Sequence, residues 1–467
     1  MWQLEPGDAA PLYQRIIRHI EAAVATGRLA PGDRLPPERD LARLLGVNRS
    51  TVIHALDAMA DRGVLVRKRG SGTYVNKEKW GVQTYARLNW QEPPALLPAA
   101  RDTPFHRRAA VLRRQAERDS ALVLHDLSRD DLSPGLLPEI SIPAGSWDDL
   151  VRAEQGDEAP NLGLIPFRRS VARFLRETAG LTVPFDDICI TSGSRQAVFL
   201  ITQCLLKVGD AVGVEAPSYF YSLPVFQAAG LRLYALPMDG QGITVDGLER
   251  LVARRSLKMI FLNPVFHNPT GTVMTDGRKK AVLDFCAAAR IPIVEDDAYS
   301  LLDFGTTAGN SPMKAQDKRD QVLYTGSLSS YAGRNIRAGW LVAPPGITAK
   351  LAAARHMMDA GLSVLPQLLA GEYLERVAAG HLPRLRAELA ARARALADFL
   401  RAAFGDRLVF DLPPGGLYIY AAMRPGDAKH YPAMQQEFLD HGIIPALGEE
   451  FGDTQPSFRL NHSLFRA

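Results

Sequence analysis

The chain has 467 residues, 46% hydrophobic and 23% charged, with a formal net charge of +4. That length exceeds what one hydrophobic core serves, and that composition excludes a disordered chain. No apolar run approaches a membrane span and the opening residues (MWQLEPGDAAPLYQ) lack a signal-peptide layout, so a cytoplasmic protein with no membrane partner is expected. Cys189, Cys204 and Cys286 lie in apolar stretches without ligand-like spacing, which predicts buried, reduced thiols rather than a disulfide or metal site.

The first predicted element is a helix over residues 11–26, where Tyr13, Ile16, Ile17, Ile20 and Val24 share a face; the break GRLAPGDRLP follows. A second helix, in PERDLARLLG, puts Leu41, Leu44 and Leu45 on one face and stops at Gly46. Asn48 is placed to cap a third, RSTVIHALDAMADRG, which turns Val52, Leu56 and Met59 inward and leaves Arg49, Ser50, Ile53 and His54 outward. VLVRKRGSGTYV then alternates as two strands around Gly-Ser-Gly, with Arg67, Lys68 and Arg69 at the tip.

Three helices and a basic hairpin make a winged helix-turn-helix over residues 1–76, whose third helix would enter the major groove of double-stranded DNA while the hairpin follows the backbone. Arg34, Arg39, Arg43, Arg49, Arg62, Arg67, Lys68 and Arg69 cluster where phosphates would lie, and each phosphate neutralised releases counterions. The stretch LPPERDLARLLGVNRSTVIHALDAMADRGVLVRKRGSGTYV resembles the GntR family of bacterial regulators, with its LP-S-ER-LA-LGV-SR-TV pattern and G-G-T wing. The resemblance implies DNA contacts by Arg39 and Arg49 from helices two and three, with Gly70, Ser71 and Gly72 in the wing. Ser50, Thr51, His54, Arg67, Lys68 and Arg69 complete the candidate interface; for His54 a base contact and a merely solvent-facing ring are the two readings.

Residues 77–114 carry Pro, Ala and charge without a sustained period and read as a connector. Residues 115–467 then alternate apolar strands (DDICITSG, DAVGVEAPSY, LKMIFLNPVF, IPIVEDDAYS, QVLYTGSLSS, AGWLVAP) with helical stretches, which predicts a mostly parallel sheet covered on both faces. Ligands bind such sheets at the carboxyl ends of the strands. There, Gly193, Ser194 and Arg195 open a helix that can hold a phosphate. Tyr219 is placed to stack on a flat ring, and Asn268 and Tyr299 to hydrogen-bond a ring oxygen. Asp296 suits a protonated pyridine nitrogen, and Ser327, Ser329 and Arg337 suit a phosphate cup.

Taken in order, TSGSRQA, EAPSY, HNPTGT, EDDAYS, GSLS, IRAGW, GGLYIY and FRLNHS resemble the motifs of fold-type-I aminotransferases, over about residues 122–467. The resemblance implies a multidomain chain: an α/β winged helix-turn-helix plus an α/β PLP-dependent-transferase-like fold with a smaller C-terminal α+β subdomain at about 345–467. A GntR-like reader joined to such a domain is similar to the MocR (GabR-like) regulators. It further implies pyridoxal 5'-phosphate or a derivative as cofactor, Arg459 as the clamp of an effector carboxylate, and a homodimer. SPGLLPE and PNLGLIPF are expected to face the pocket.

One position departs from the pattern. The family's S-x-S-K turn reads Ser327-Leu328-Ser329-Ser330 here, with Arg337, Gly339 and Trp340 in register, so Ser330 stands at the Schiff-base lysine position. A serine hydroxyl neither forms that linkage nor shuttles its proton at neutral pH. The serine fits a natural sensor, a laboratory substitution that traps a complex, or a pocket retuned to another ligand; retention of Asp296, Asn268, Tyr299, Ser327 and Arg337 argues against the last. The expected protein is a transcriptional regulator, not an enzyme and without a catalytic residue, that senses an amino acid or amine with non-covalent pyridoxal phosphate. An aminotransferase and a regulator with a ligand-free, structural domain are the alternatives.

Overall fold

The computed structural model describes residues 10–25, 29, 32–61, 63–68, 70–76, 103–119, 122–141, 148, 161–305, 310–359 and 361–466. Contacts divide the chain into two units, Met1–Ala99 and Ala100–Ala467.

In the first unit, helices α1 (Leu12–Ala25), α2 (Glu38–Leu45) and α3 (Arg49–Asp61) enclose a core in which Ile16, Ile20, Leu41, Val52, Leu56 and Met59 are buried. Gly46 ends α2 in the left-handed conformation (φ 67°), which a glycine adopts without a Cβ clash. Asn48 caps α3: its Oδ1 accepts from the Ser50 backbone N–H at 3.0 Å. Leu44, expected inside, is exposed, and Ala42 is buried instead. At about 100° per residue, Leu41, Leu45 and Ala42 span one sector, and Leu44 falls about 60° outside it. Strands β1 (Leu65–Lys68) and β2 (Gly72–Val75) pair antiparallel as the wing.

The second unit begins earlier than expected. Helix α4 (Pro104–Arg118), capped by Thr103, buries Phe105 and Ala109 in that unit's core, so the carboxyl part of the segment read as a connector is folded. Its strands are β3 (His125–Asp126), β4 (Ile188–Thr191), β5 (Ala211–Ala216), β6 (Arg232–Asp239), β7 (Gly242–Ile243), β8 (Leu257–Leu262), β9 (Ile293–Asp297), β10 (Val322–Ser327), β11 (Gly339–Val342), β12 (Leu408–Val409), β13 (Tyr418–Met423), β14 (Ile443–Ile444), β15 (Ala446–Leu447) and β16 (Ser457–Asn461). Eight form one sheet in the order β4-β11-β10-β9-β8-β5-β6-β7, parallel from β10 to β6; β11 runs against β10 and β4.

The period of two assigns alternate residues to opposite faces of this sheet. Ile188, Ile190, Tyr324, Trp340 and Val342 pack beneath the helices Ile165–Ala179 and Ala378–Phe404, while Cys189, Leu323 and Leu341 meet Ser194–Cys204 and Pro345–Asp359. Burial on both faces explains the near-continuous apolar runs. Pro345–Asp359 thus belongs to the large sheet, later than the expected subdomain boundary. The smaller core joins β12, β13, β15 and β16 to α4, Leu127 and the far end of Ala378–Phe404 through Leu396, Leu400 and Phe404. Cys189 and Cys286 are buried, but Cys204 is exposed at the end of its helix.

Candidate functional site

Because β11 opposes both β4 and β10, the strands β4, β5, β8, β9 and β10 all end on one edge of the sheet. A cavity of about 320 Å³ opens there, within the ~300–1,000 Å³ range of small-molecule sites. Every cofactor residue expected from the sequence lines it: Gly193, Ser194, Arg195, Tyr219, Asn268, Asp296, Tyr299, Ser327, Ser329 and Arg337, with Ser330 beside them. None of the described lining residues is a lysine.

One wall is small, polar and positive. Gly193 precedes the Ser194–Cys204 helix at φ 101°, and a Cβ on Gly339 would lie 2.7 Å from the Gly193 Cα, so the two segments meet backbone to backbone. Ser327 Oγ accepts from the Ser329 N–H at 3.2 Å and lies 3.1 Å from Ser329 Oγ. The first N–H groups of a helix have no partner within it and carry its positive end. With the exposed Arg337, they make this wall suited to a phosphate.

The floor is a buried carboxylate. Asp296 Oδ1 accepts from Thr325 Oγ1 at 3.1 Å. Burial pushes its pKa up to about 6 against the pull of the Thr325 and Ser194 hydroxyls, and neighbouring Asp297 pushes the same way. Asn263, which sequence reasoning missed, ties the floor together: its Nδ2 donates to the Asp296 carbonyl and its Oδ1 accepts from the Asn268 N–H, both at 2.7 Å. Asn268 Nδ2 then donates to Tyr299 Oη at 3.3 Å, and Tyr299 and Tyr418 hydroxyls lie 3.1 Å apart. The Tyr219 hydroxyl accepts from Arg195 Nε at 2.5 Å, and the guanidinium lies over the tyrosine ring, 5.6 Å from its centroid.

The opposite wall differs most from expectation. Arg459 is buried, with its guanidinium over Tyr418 (4.4 Å) and Phe451 (4.7 Å), but it does not line the cavity. Asp130 stands before it, 2.6 Å from Nη1. Burial opposes the charge of Arg459, yet Asp130 and the phenol of Tyr418 hold its pKa above the ordinary arginine value. Asp131 pairs with Arg334 at 2.8 Å and also with Arg129. An acidic turn ordinarily reads as surface, which is why Arg129, Asp130 and Asp131 escaped notice. The expected SPGLLPE stretch runs past the cavity to a separate groove at Gly135–Glu139, and from PNLGLIPF Leu164 and Phe167 enter the core.

In the first unit, Arg39, Arg49 and His54 are exposed, and the His54 ring packs edge-on against Tyr13 at 4.6 Å. Ser50 is exposed and engaged with Asn48, while Thr51 and Ile53 are half-buried. Arg49 pairs with Glu38 at 3.0 Å, and Arg67 with Asp57 at 3.0 Å. In the wing, Lys68 sits over the Tyr74 ring at 5.4 Å, Gly70 and Gly72 have positive φ, and Ser71 Oγ meets Tyr74 Oη at 2.7 Å. Arg62 and Arg69 lie outside the described residues.

Comparison with known proteins agrees with both halves. Residues 12–75 match the family of bacterial regulatory proteins, gntR family, and residues 158–463 match aminotransferase class I and II. The uncharacterized HTH-type transcriptional regulator YisV of Bacillus subtilis (strain 168) is 32% identical over 99% of this chain and 94% of its own. Among solved structures, the kynurenine aminotransferase of Pyrococcus horikoshii, in complex with PMP, is 26% identical with a TM-score of 0.64, covering 76% of this chain and 89% of that one. The α-aminoadipate aminotransferase LysN of Thermus thermophilus, complexed with N-(5'-phosphopyridoxyl)-L-leucine, is 25% identical with a TM-score of 0.63, covering 76% and 92%. The chain belongs to the family of HTH-type transcriptional regulators in which a GntR-type DNA-binding domain is joined to an aminotransferase class I and II domain.

Proposed function

We propose that the cavity binds pyridoxal 5'-phosphate, or its pyridoxamine form or amine adduct, without covalent anchoring, and that occupancy shifts the affinity of the first unit for operator DNA. One observation carries this reading: a phosphate-suited wall, a buried carboxylate floor and a flanking tyrosine line one cavity, and Ser330 stands where the covalent anchor would be. The donor set fits the cofactor. Ser194, Ser327, Ser329, Arg337 and helix N–H groups would hold the phosphate; Asp296 would hold a proton on the ring nitrogen; Asn268 and Tyr299 would orient the ring oxygen; Tyr219 would cover a face. When bound, the cofactor supplies a protonated pyridine ring that withdraws electrons from an attached amine. Ser330 holds no amine, so the site keeps the binding contacts and lacks the proton carrier that catalysis uses.

Coupling requires that the ligand bind the DNA-competent and incompetent states with different affinity. The reading also expects a cytoplasmic homodimer on paired half-sites, since a closed two-fold dimer matches a two-fold operator. For the test, wild-type protein and Ser330→Lys are mixed with pyridoxal phosphate, reduced with borohydride and weighed by mass spectrometry. Only the variant is expected to retain a lysine-linked cofactor at position 330, while the wild type binds it reversibly. Steady-state transamination by the wild type, above a cofactor-only control, would overturn the proposal.

A further inference from the structure

Both Nη groups of Arg459 are already engaged from within the chain. Its Nη1 donates to Asn268 Oδ1 at 3.0 Å and lies in ion-pair contact with Asp130 Oδ1 at 2.6 Å; its Nη2 donates to the Ser128 carbonyl at 2.6 Å; its Nε is buried with no partner among the described residues. A guanidinium recognises a carboxylate through two parallel N–H groups. Here Nη1 and Nη2 are both engaged from within the chain, and Arg459 does not line the cavity. Asp130 holds the place that an incoming carboxylate would take, and Tyr418 Oη donates to the same Oδ1 at 3.1 Å, which fixes it there.

The other arginines on this side are likewise tied to carboxylates of the chain. The other Asp130 oxygen lies 3.7 Å from Arg195, and Asp131 takes Arg334 and Arg129. Arg337, at the serine and glycine wall, has no carboxylate within ion-pair distance among the described residues. The cavity therefore has one anion-seeking end and one end that presents the partly exposed carboxylate of Asp130 to whatever fills it. A second carboxylate there would meet Asp130 at close range, and like charges placed together discriminate strongly. An amine or neutral group would not.

We infer that Asp130 is a specificity-determining residue that excludes a carboxylate, so that the ligand at this site is a primary amine without an α-carboxylate rather than an amino acid. The inference rests on the proposed cofactor site and narrows its ligand class.

The test compares two probes differing only in the carboxylate: N-(5'-phosphopyridoxyl)-L-leucine and N-(5'-phosphopyridoxyl)-3-methylbutylamine. Both are titrated calorimetrically into the full chain, with pyridoxamine phosphate as the shared reference. Wild type is expected to favour the amine adduct by at least about tenfold. Asp130→Ala is expected to erase or reverse that preference by tightening the leucine adduct. Asp130→Asn keeps the side-chain shape and removes the charge, and is expected to move in the same direction should the alanine variant misfold. Tighter binding of the leucine adduct by wild type, or an unchanged ratio in both variants, overturns the inference while leaving the cofactor site intact. If neither adduct nor pyridoxamine phosphate binds wild type, the cofactor reading itself falls, and the inference with it.

Discussion

The GntR-type unit and the cavity use the same kinds of charged residue under opposite conditions. Glu38, with a quarter of its side chain exposed, pairs with Arg49 and Arg67, whose side chains are 50% and 37% exposed. Pairs in such settings contribute roughly 0–1 kcal/mol, so the arginines can leave Glu38 for a phosphate at little cost. Asp296 and Arg459 are buried, where a charge left without a partner is costly; burial pushes the Asp296 pKa up, and Arg459 is held by Asp130. A charge on the first unit is thus exchangeable, and a charge in the cavity is committed to its partner or its ligand.

The largest effect that would break this contrast comes from the cavity floor. On the proposed reading Asp296→Ala removes the counter-charge of a bound ring nitrogen, so pyridoxamine phosphate, titrated calorimetrically, is expected to bind about 100- to 1,000-fold more weakly. Retained affinity would place the carboxylate outside the binding site.

Next in size is a pH dependence of the ligand-free protein. Folding raises the Asp296 pKa from the ordinary 3.8 to about 6, so this group's contribution to stability is full below pH 4 and is lost as pH rises through about 6. The loss is on the order of 3 kcal/mol. Asp296→Asn lacks that loss, and denaturant melts of both proteins at pH 4 and pH 7 are expected to show the variant gaining that amount relative to wild type. Parallel pH profiles would contradict the burial penalty.

Arg337 tests the anion wall alone. A hydrogen bond to a charged group contributes about 1.5–3 kcal/mol, so Arg337→Ala is expected to weaken pyridoxamine phosphate roughly 10- to 100-fold. Unphosphorylated pyridoxamine should be unaffected. Equal losses for both ligands would assign Arg337 elsewhere.

The smallest expected effect lies on the first unit. Glu38→Ala is expected to change its stability by less than about 1 kcal/mol while tightening DNA binding at low salt, because Arg49 is released; Arg67 keeps its pairing with Asp57. A large destabilisation would show that this pair is structural.

The same contrast explains what the sequence disclosed. Motifs read within one turn or one strand end were legible: Gly46 and Asn48 around the second and third helices, the Gly193 turn, Asp296 after its strand, Ser327 to Ser330 in theirs. Each depends on neighbours a few residues away, and the shared edge of a parallel sheet gathers those of the second unit. Legibility failed where the partner is remote. Asp130 meets Arg459 from more than three hundred positions away in the chain, and the Asn263 amide bridges strands β8 and β9. Helix α4 was hidden by proline and arginine content that resembles a connector, although Thr103-Pro104 followed by Phe105 and Ala109 spells a cap and a buried face. Leu44 shows the limit of counting apolar residues on a short helix, since one step of 100° separates core from solvent.

The measurement that bears most directly on the central claim is DNA affinity with and without the ligand. Fluorescence anisotropy on DNA from upstream of the protein's own gene is read for wild type and Asp296→Ala, each with and without pyridoxal phosphate at a concentration that saturates the wild type but not the variant. Saturation is confirmed independently by calorimetry. Coupling between the sites predicts a shift in wild-type Kd of about 5- to 150-fold, absent from the variant. An unchanged Kd for ligand-saturated wild type would contradict the account.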